Sequence, residues 1–206
     1  MRINREEFLN AITHSLGVLF SLISCLLLLE KYPNSDWMYK FGVIIFSSGA
    51  FLLYLSSTLY HSVRSLSIKR ILRKLDHICI YVLIAASYTP VWLLIIGGVV
   101  GWIGFGVMWL IAFIGSIYKM LAIGKFPKLS LILYLAMGWS VLFVVKPVWN
   151  TTPFVGLIWL FVEGISYSFG TYFYANDSKY KYFHAIWHVF VLLGSVAHLI
   201  FLIETL

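Results

Sequence analysis

The sequence predicts an all-α polytopic membrane protein of seven transmembrane helices, with the N-terminus cytoplasmic and the C-terminus outside. Three observations carry this expectation. Of 206 residues, 61% are hydrophobic and 11% charged, far from the composition of a water-soluble domain. Residues 77–118 contain no Asp, Glu, Lys or Arg; as helix they would extend about 63 Å at roughly 1.5 Å per residue, which is two crossings and not one. The basic residues, finally, divide unevenly between alternate connections, and cytoplasmic loops are the ones that retain Lys and Arg.

At about 20 apolar residues per crossing, the spans fall at 9–29, 39–61, 75–96, 99–121, 129–145, 154–175 and 183–204. The first reads as a span and not as a cleaved leader, since Thr13, His14, Ser15 and Gly17 interrupt its apolar stretch, which ends at Glu30 without a small-residue cleavage pattern. Pro33, the region of Pro127 and the Lys146, Pro147 pair lie between spans, whereas Pro90 lies inside the third and predicts a kink. The reversal between spans three and four is expected at Gly97 and Gly98, where glycine tolerates the turn. Gly101, Gly104 and Gly106 follow no strand, so they read as helix-packing residues and not as a nucleotide loop. Cys25 and Cys79 have no CxxC partner and read as small core residues. No soluble domain, long linker or repeat is evident, so residues 1–206 form one seven-helix membrane domain.

With the N-terminus inside, twelve basic residues are cytoplasmic: Arg2, Arg5, Arg64, Lys69, Arg70, Arg73, Lys74, Lys119, Lys125, Lys128, Lys179 and Lys181. Only Lys31, Lys40 and Lys146 fall outside. The net charge of +7 therefore lies mainly on one face, and the basic 62–74 loop is expected to meet anionic lipid headgroups. Nothing suggests a nucleic-acid partner.

Ionisable groups are costly inside a bilayer, so their positions are informative. Span one opens with Glu7, Asn10 and His14 on one helical face; span two closes with Ser57 and His61; span three opens with Asp76 and His77; span seven opens with His184 and His188. The alternating direction of the spans brings all four groups to the cytoplasmic membrane depth. Two histidines at i and i+4 can point both imidazoles at one ion, and a third from another helix completes the three-nitrogen set typical of a catalytic zinc with its water. His61, His184 and His188 are the expected ligands, with Asp76 orienting a ligand or water and Ser57 hydrogen-bonding that water or a carbonyl. Glu7, Asn10 and His14 are either an interfacial cap or a support for the site. His77 reads as a partner of Asp76 or an interfacial residue, not a ligand. His198 is about 21 Å along the helix from His184 at roughly 1.5 Å per residue; it cannot share the ion and reads as an interhelical hydrogen-bonding group. Glu163, near the middle of span six, must be neutral or paired.

The ordered set Glu7-x-x-Asn10-x-x-x-His14, Ser57-x-x-x-His61, Asp76 and His184-x-x-x-His188 resembles the hemolysin III branch of the progestin and adipoQ receptor (PAQR) family, over nearly the whole chain. The stretch Gly164 to Tyr174 and the run from His188 to His198 add to the likeness, and the short N-terminus is similar to the bacterial branch. Glu163 stands where the family would have a small residue. The resemblance implies seven helices with a cytoplasmic N-terminus, a zinc held by the three histidines with a serine and an aspartate beside it, and a place in the bacterial cell membrane. It also implies three alternative functions. One is a zinc-dependent hydrolase of a lipid amide or ester, in which Asp76 handles the proton and Ser57 helps to hold water or the oxyanion. Another is a sensor or regulator of membrane state with a structural zinc. The last is a pore-forming cytolysin, although a pore calls for polar residues distributed along a lumen, and here they gather at one end.

Overall fold

The computed structural model describes residues 5–125 and 127–206; Arg2 lies outside them. The helices run in chain order as α1 (Arg5–Lys31), α2 (Trp37–Ser62), α3 (Leu66–Pro90, extended by a π-helical turn Val91–Ile96), α4 (Gly98–Ala122), α5 (Pro127–Gly138, followed by a 3-10 turn Ser140–Val144), α6 (Val145–Thr151), α7 (Phe154–Ala175) and α8 (Phe183–Thr205). With α5 and α6 forming one crossing, seven helical segments are long and apolar enough to span a bilayer. No strand occurs among the described residues.

The residue pattern of α1 is the inverse of that of a soluble helix. Its buried stripe is Asn10, His14, Gly17, Ser21, Ser24 and Leu28, at alternating steps of three and four, whereas Leu16, Leu19, Leu22 and Leu26 are exposed. In lipid the apolar side chains need no burial in protein, so small and polar residues take the helix–helix contacts. The hydroxyls of Ser21 and Ser24 are satisfied by Val18 and Phe20 carbonyls of their own helix. Packing joins α1 to α2, α2 to α3, α3 to α4, α7 to α8 and α1 to α8, while α5 rests on α3 and α7.

Local breaks follow from particular residues. Pro90 cannot donate to the ladder, and the helix continues as the wider π turn to Gly97. Gly97 and Gly98, at φ 65 and 57, then reverse the chain as expected. A Cβ on Gly101 would lie 2.2 Å from the Trp92 carbonyl oxygen and one on Gly104 2.1 Å from the Trp92 ring, whereas Gly106 meets nothing within 4 Å. The packing reading thus holds for the first two alone.

Two boundaries differ from those read in the sequence. α3 begins at Leu66, so most of the basic 62–74 stretch is helix, with Lys69, Arg70, Arg73 and Lys74 interspersed among exposed Ile68, Ile71 and Leu75. Lys146 and Pro147 sit inside α6, because in a first helical turn the donor that proline lacks has no partner to lose. Cys79 is buried and both cysteines are free.

Candidate metal centre

His61 lies in the last turn of α2, and His184 and His188 in the first turns of α8. One ligand atom from each falls within 4.8 Å of the other two, and the three together can hold a metal ion. The first turns of α1 clamp the two helices that carry them. Glu7 Oε2 accepts from His61 Nδ1 at 2.8 Å, and its Oε1 accepts from Lys69 Nζ at 2.8 Å. The Asn10 carbonyl accepts from His188 Nδ1 at 3.1 Å, with Thr13 Oγ1 3.2 Å from the same nitrogen. Glu6 Oε1 accepts the Tyr182 N–H at 2.9 Å, which holds the residue before α8 in the left-handed region at φ 66. Tyr182 is the one non-glycine residue so held among the described residues. Such backbone persists only where its surroundings enforce it, and here it sets the angle at which α8 presents His184.

His184 Nδ1 is held in turn by Asp177 Oδ2 at 2.8 Å. An ionised carboxylate and a carbonyl only accept, so all three imidazoles donate from Nδ1, and in the neutral form of each ring the lone pair available to a metal is on Nε2. His61 Nε2 and His184 Nε2 are buried without a hydrogen-bond partner. Three imidazoles, each with Nδ1 fixed by an oxygen and each offering one ring nitrogen within 4.8 Å of the other two, are the donor set and supporting partners of a histidine metal site. The residues present therefore fit a metal ion.

The Haemolysin-III related family model matches residues 2–199. The chain belongs to the haemolysin-III family. It is 42% identical to the Hemolysin-3 homolog of Bacillus subtilis (strain 168) over 94% of this chain and 91% of that one. Identity to Hemolysin-3 of Bacillus cereus is 37%, over 93% and 87%. The monocyte to macrophage differentiation factor of Homo sapiens is 30% identical, over 94% and 81%, in keeping with the wider PAQR grouping. No solved structure matches. Family and apolar helices together make the chain a multi-pass membrane protein.

Around the triad of this haemolysin-III chain, Ser57 is fully buried one turn before His61, with its hydroxyl toward Asp76. Asp76 is buried at the same end of the bundle, beside Ser57 and His184. His14 stacks on His188, with ring centroids 3.5 Å apart and 14° between planes, and neither of its ring nitrogens has a partner. His77 stands outside the triad.

Two spaces meet at this end. One runs between the helices past Leu53, Ile80, Leu83, Ile84, Leu160 and Val191. The other, about 1430 Å³ with its mouth, is lined by polar groups including Glu7, Asn10, His61, Arg73 and Asp177. Asp76, His77, Tyr174 and His184 line both. The site stands where a polar vestibule joins an apolar cavity.

Asp177, Thr13 and Glu6 went unread in the sequence. Asp177 was the one with a signal: an acidic residue in a connection whose other charges are Lys179 and Lys181, shortly before a histidine pair. His198 Nδ1 and Glu163 Oε2 pair at 2.8 Å, as an interhelical hydrogen-bonding group and a paired mid-span carboxyl respectively.

Proposed function

We propose that this chain is a zinc-dependent hydrolase of a lipid amide or ester, with its site near the cytoplasmic face of the bacterial cell membrane. The observation that carries this reading is the position of Asp76 and His184 on both the apolar cavity and the polar vestibule. A lipid can enter the first with its acyl chain while water reaches its linkage from the second. His61, His184 and His188 hold the metal. An all-imidazole set of three suits zinc and leaves room for a further ligand. Zinc bound there supplies a Lewis acid that lowers the pKa of water toward ~7 and polarises a carbonyl.

The chain's own residues do the rest. Asp76 takes the proton from the attacking water and returns it to the leaving group. Ser57, buried beside Asp76, donates to the carbonyl oxygen as charge develops on it. Glu7, Asp177 and the Asn10 carbonyl keep the imidazoles in the tautomer that leaves Nε2 free, and His14 stacks to fix the His188 ring. Lys69, Arg70 and Arg73 on the first turns of α3 draw anionic headgroups to the vestibule.

Asp76→Ala tests the mechanism. Turnover of phospholipid or ceramide-like amide by the purified protein should fall by about 100- to 10,000-fold, the usual contribution of a proton-transferring group, at unchanged zinc content. Undiminished turnover with zinc retained would leave the metal a structural brace between α2 and α8, as a membrane-state sensor needs. The relatives named Hemolysin-3 support a second reading, membrane lysis. Leakage of dye-loaded liposomes that survives loss of the three histidines would favour it.

A further inference from the structure

The far end of the apolar cavity carries polar groups that the hydrolytic reading does not use. Glu163 lines that cavity and is 6% exposed, with Oε2 paired to His198 Nδ1. His198 is 1% exposed, packs against Phe46 and Phe201, and leaves its Nε2 buried without a partner. Ser87 lines the cavity as well. Three helices place these groups at one depth. Ser87 follows Asp76 by eleven residues on α3, Glu163 precedes Tyr174 by eleven on α7, and His198 follows His188 by ten on α8. Each interval is about 15 Å at roughly 1.5 Å per residue. These groups therefore face the histidine cluster across a cavity lined mainly by apolar side chains, with Tyr167, Ser168 and Thr171 of α7 also on its wall.

His198 engages Oε2 of Glu163, which leaves acceptor capacity on the carboxyl group for a donor carried by an occupant of the cavity. A helix staple alone would be served by two groups facing each other away from open space; Glu163 instead lines it.

We propose that Glu163, with Ser87, is a second recognition point for the occupant of the cavity, binding a hydroxyl or ammonium at the end of the chain remote from the metal. This rests on the cavity being the acyl site of the proposed hydrolase and narrows its ligands to amphiphiles polar at both ends and about 15 Å long, the depth set by roughly 1.5 Å of helix per residue. An unfunctionalised acyl chain would leave Glu163 without that donor.

Calorimetric titration of the purified full-length protein decides this, with dodecanoic, tetradecanoic and hexadecanoic acids and their ω-hydroxy counterparts as probes. At one chain length the ω-hydroxy acid should bind wild type at least about tenfold more tightly than the plain acid, as a hydrogen bond to a charged group warrants. Glu163→Leu should abolish that preference, and Glu163→Gln, which keeps an acceptor oxygen, should retain part of it. Should Glu163→Leu fail to fold, Ser87→Ala should reduce the preference. Equal affinities at every length in wild type, or a preference undiminished in the folded variants, would overturn the proposal while leaving the acyl cavity standing. If neither class of acid binds, both fail.

Discussion

The same chemical unit, an imidazole Nδ1 held by a carboxylate at 2.8 Å, stands at the two ends of the apolar cavity in different company. At the vestibule end Glu7 holds His61 and Asp177 holds His184, and these imidazoles converge with His188 within 4.8 Å. At the other end Glu163 holds His198 alone, among Phe46, Phe201 and the cavity wall. The pair by itself is therefore not a metal site. Convergence makes a candidate one, and here the first turns of α1 hold the end of α2 and the start of α8 through Glu6, Glu7 and Asn10.

That contrast can be broken at either end. The largest effect is expected from removing a ligand: His61→Ala should weaken zinc binding by more than about 100-fold, beyond the usual cost of losing an outer partner, measured by competition with a chelator. Glu7→Gln and Asp177→Asn keep the shape of the anchors but lose their charge, and each should reduce affinity by about 10- to 100-fold in the same titration. Ser57→Ala should leave zinc content unchanged and lower turnover less than Asp76→Ala does, since a hydroxyl that assists is being compared with the group that carries the proton. At the other end, His198→Ala should not change zinc content at all. It should lower the melting temperature, because it leaves a buried carboxyl unpaired, a loss of about 3–5 kcal/mol for broken buried pairs. Zinc lost from His198→Ala would mean that the two ends are not separate.

The sequence made the vestibule end legible for a physical reason. Helical periodicity puts His184 and His188 on one face, and the basic asymmetry fixes which ends of the spans share a depth, so His61, Asp76 and Ser57 could be gathered without knowing any contact. Asp177 escaped because it sits in a connection, where no periodicity relates its direction to that of His184. The partnership of Glu163 and His198 escaped although both residues were singled out, because pairing residues on two helices needs their relative rotation as well as their depth. The cavity was invisible for the same reason: it is a space among Leu53, Ile80, Leu83, Leu160 and Val191, residues that read one by one as ordinary span. The early start of α3 was hidden by its charge, since the amphipathic turns Leu66–Leu75 lack the hydropathy of a crossing while still being helix.

Everything proposed about chemistry depends on a metal at the three histidines. The direct measurement is elemental analysis of the purified protein beside a His184→Ala, His188→Ala double variant. Wild type should carry close to one zinc per chain and the double variant close to none, with both folded by circular dichroism. Equal zinc in the two, or none in wild type purified without chelator, would contradict the assignment of His61, His184 and His188 as a zinc site.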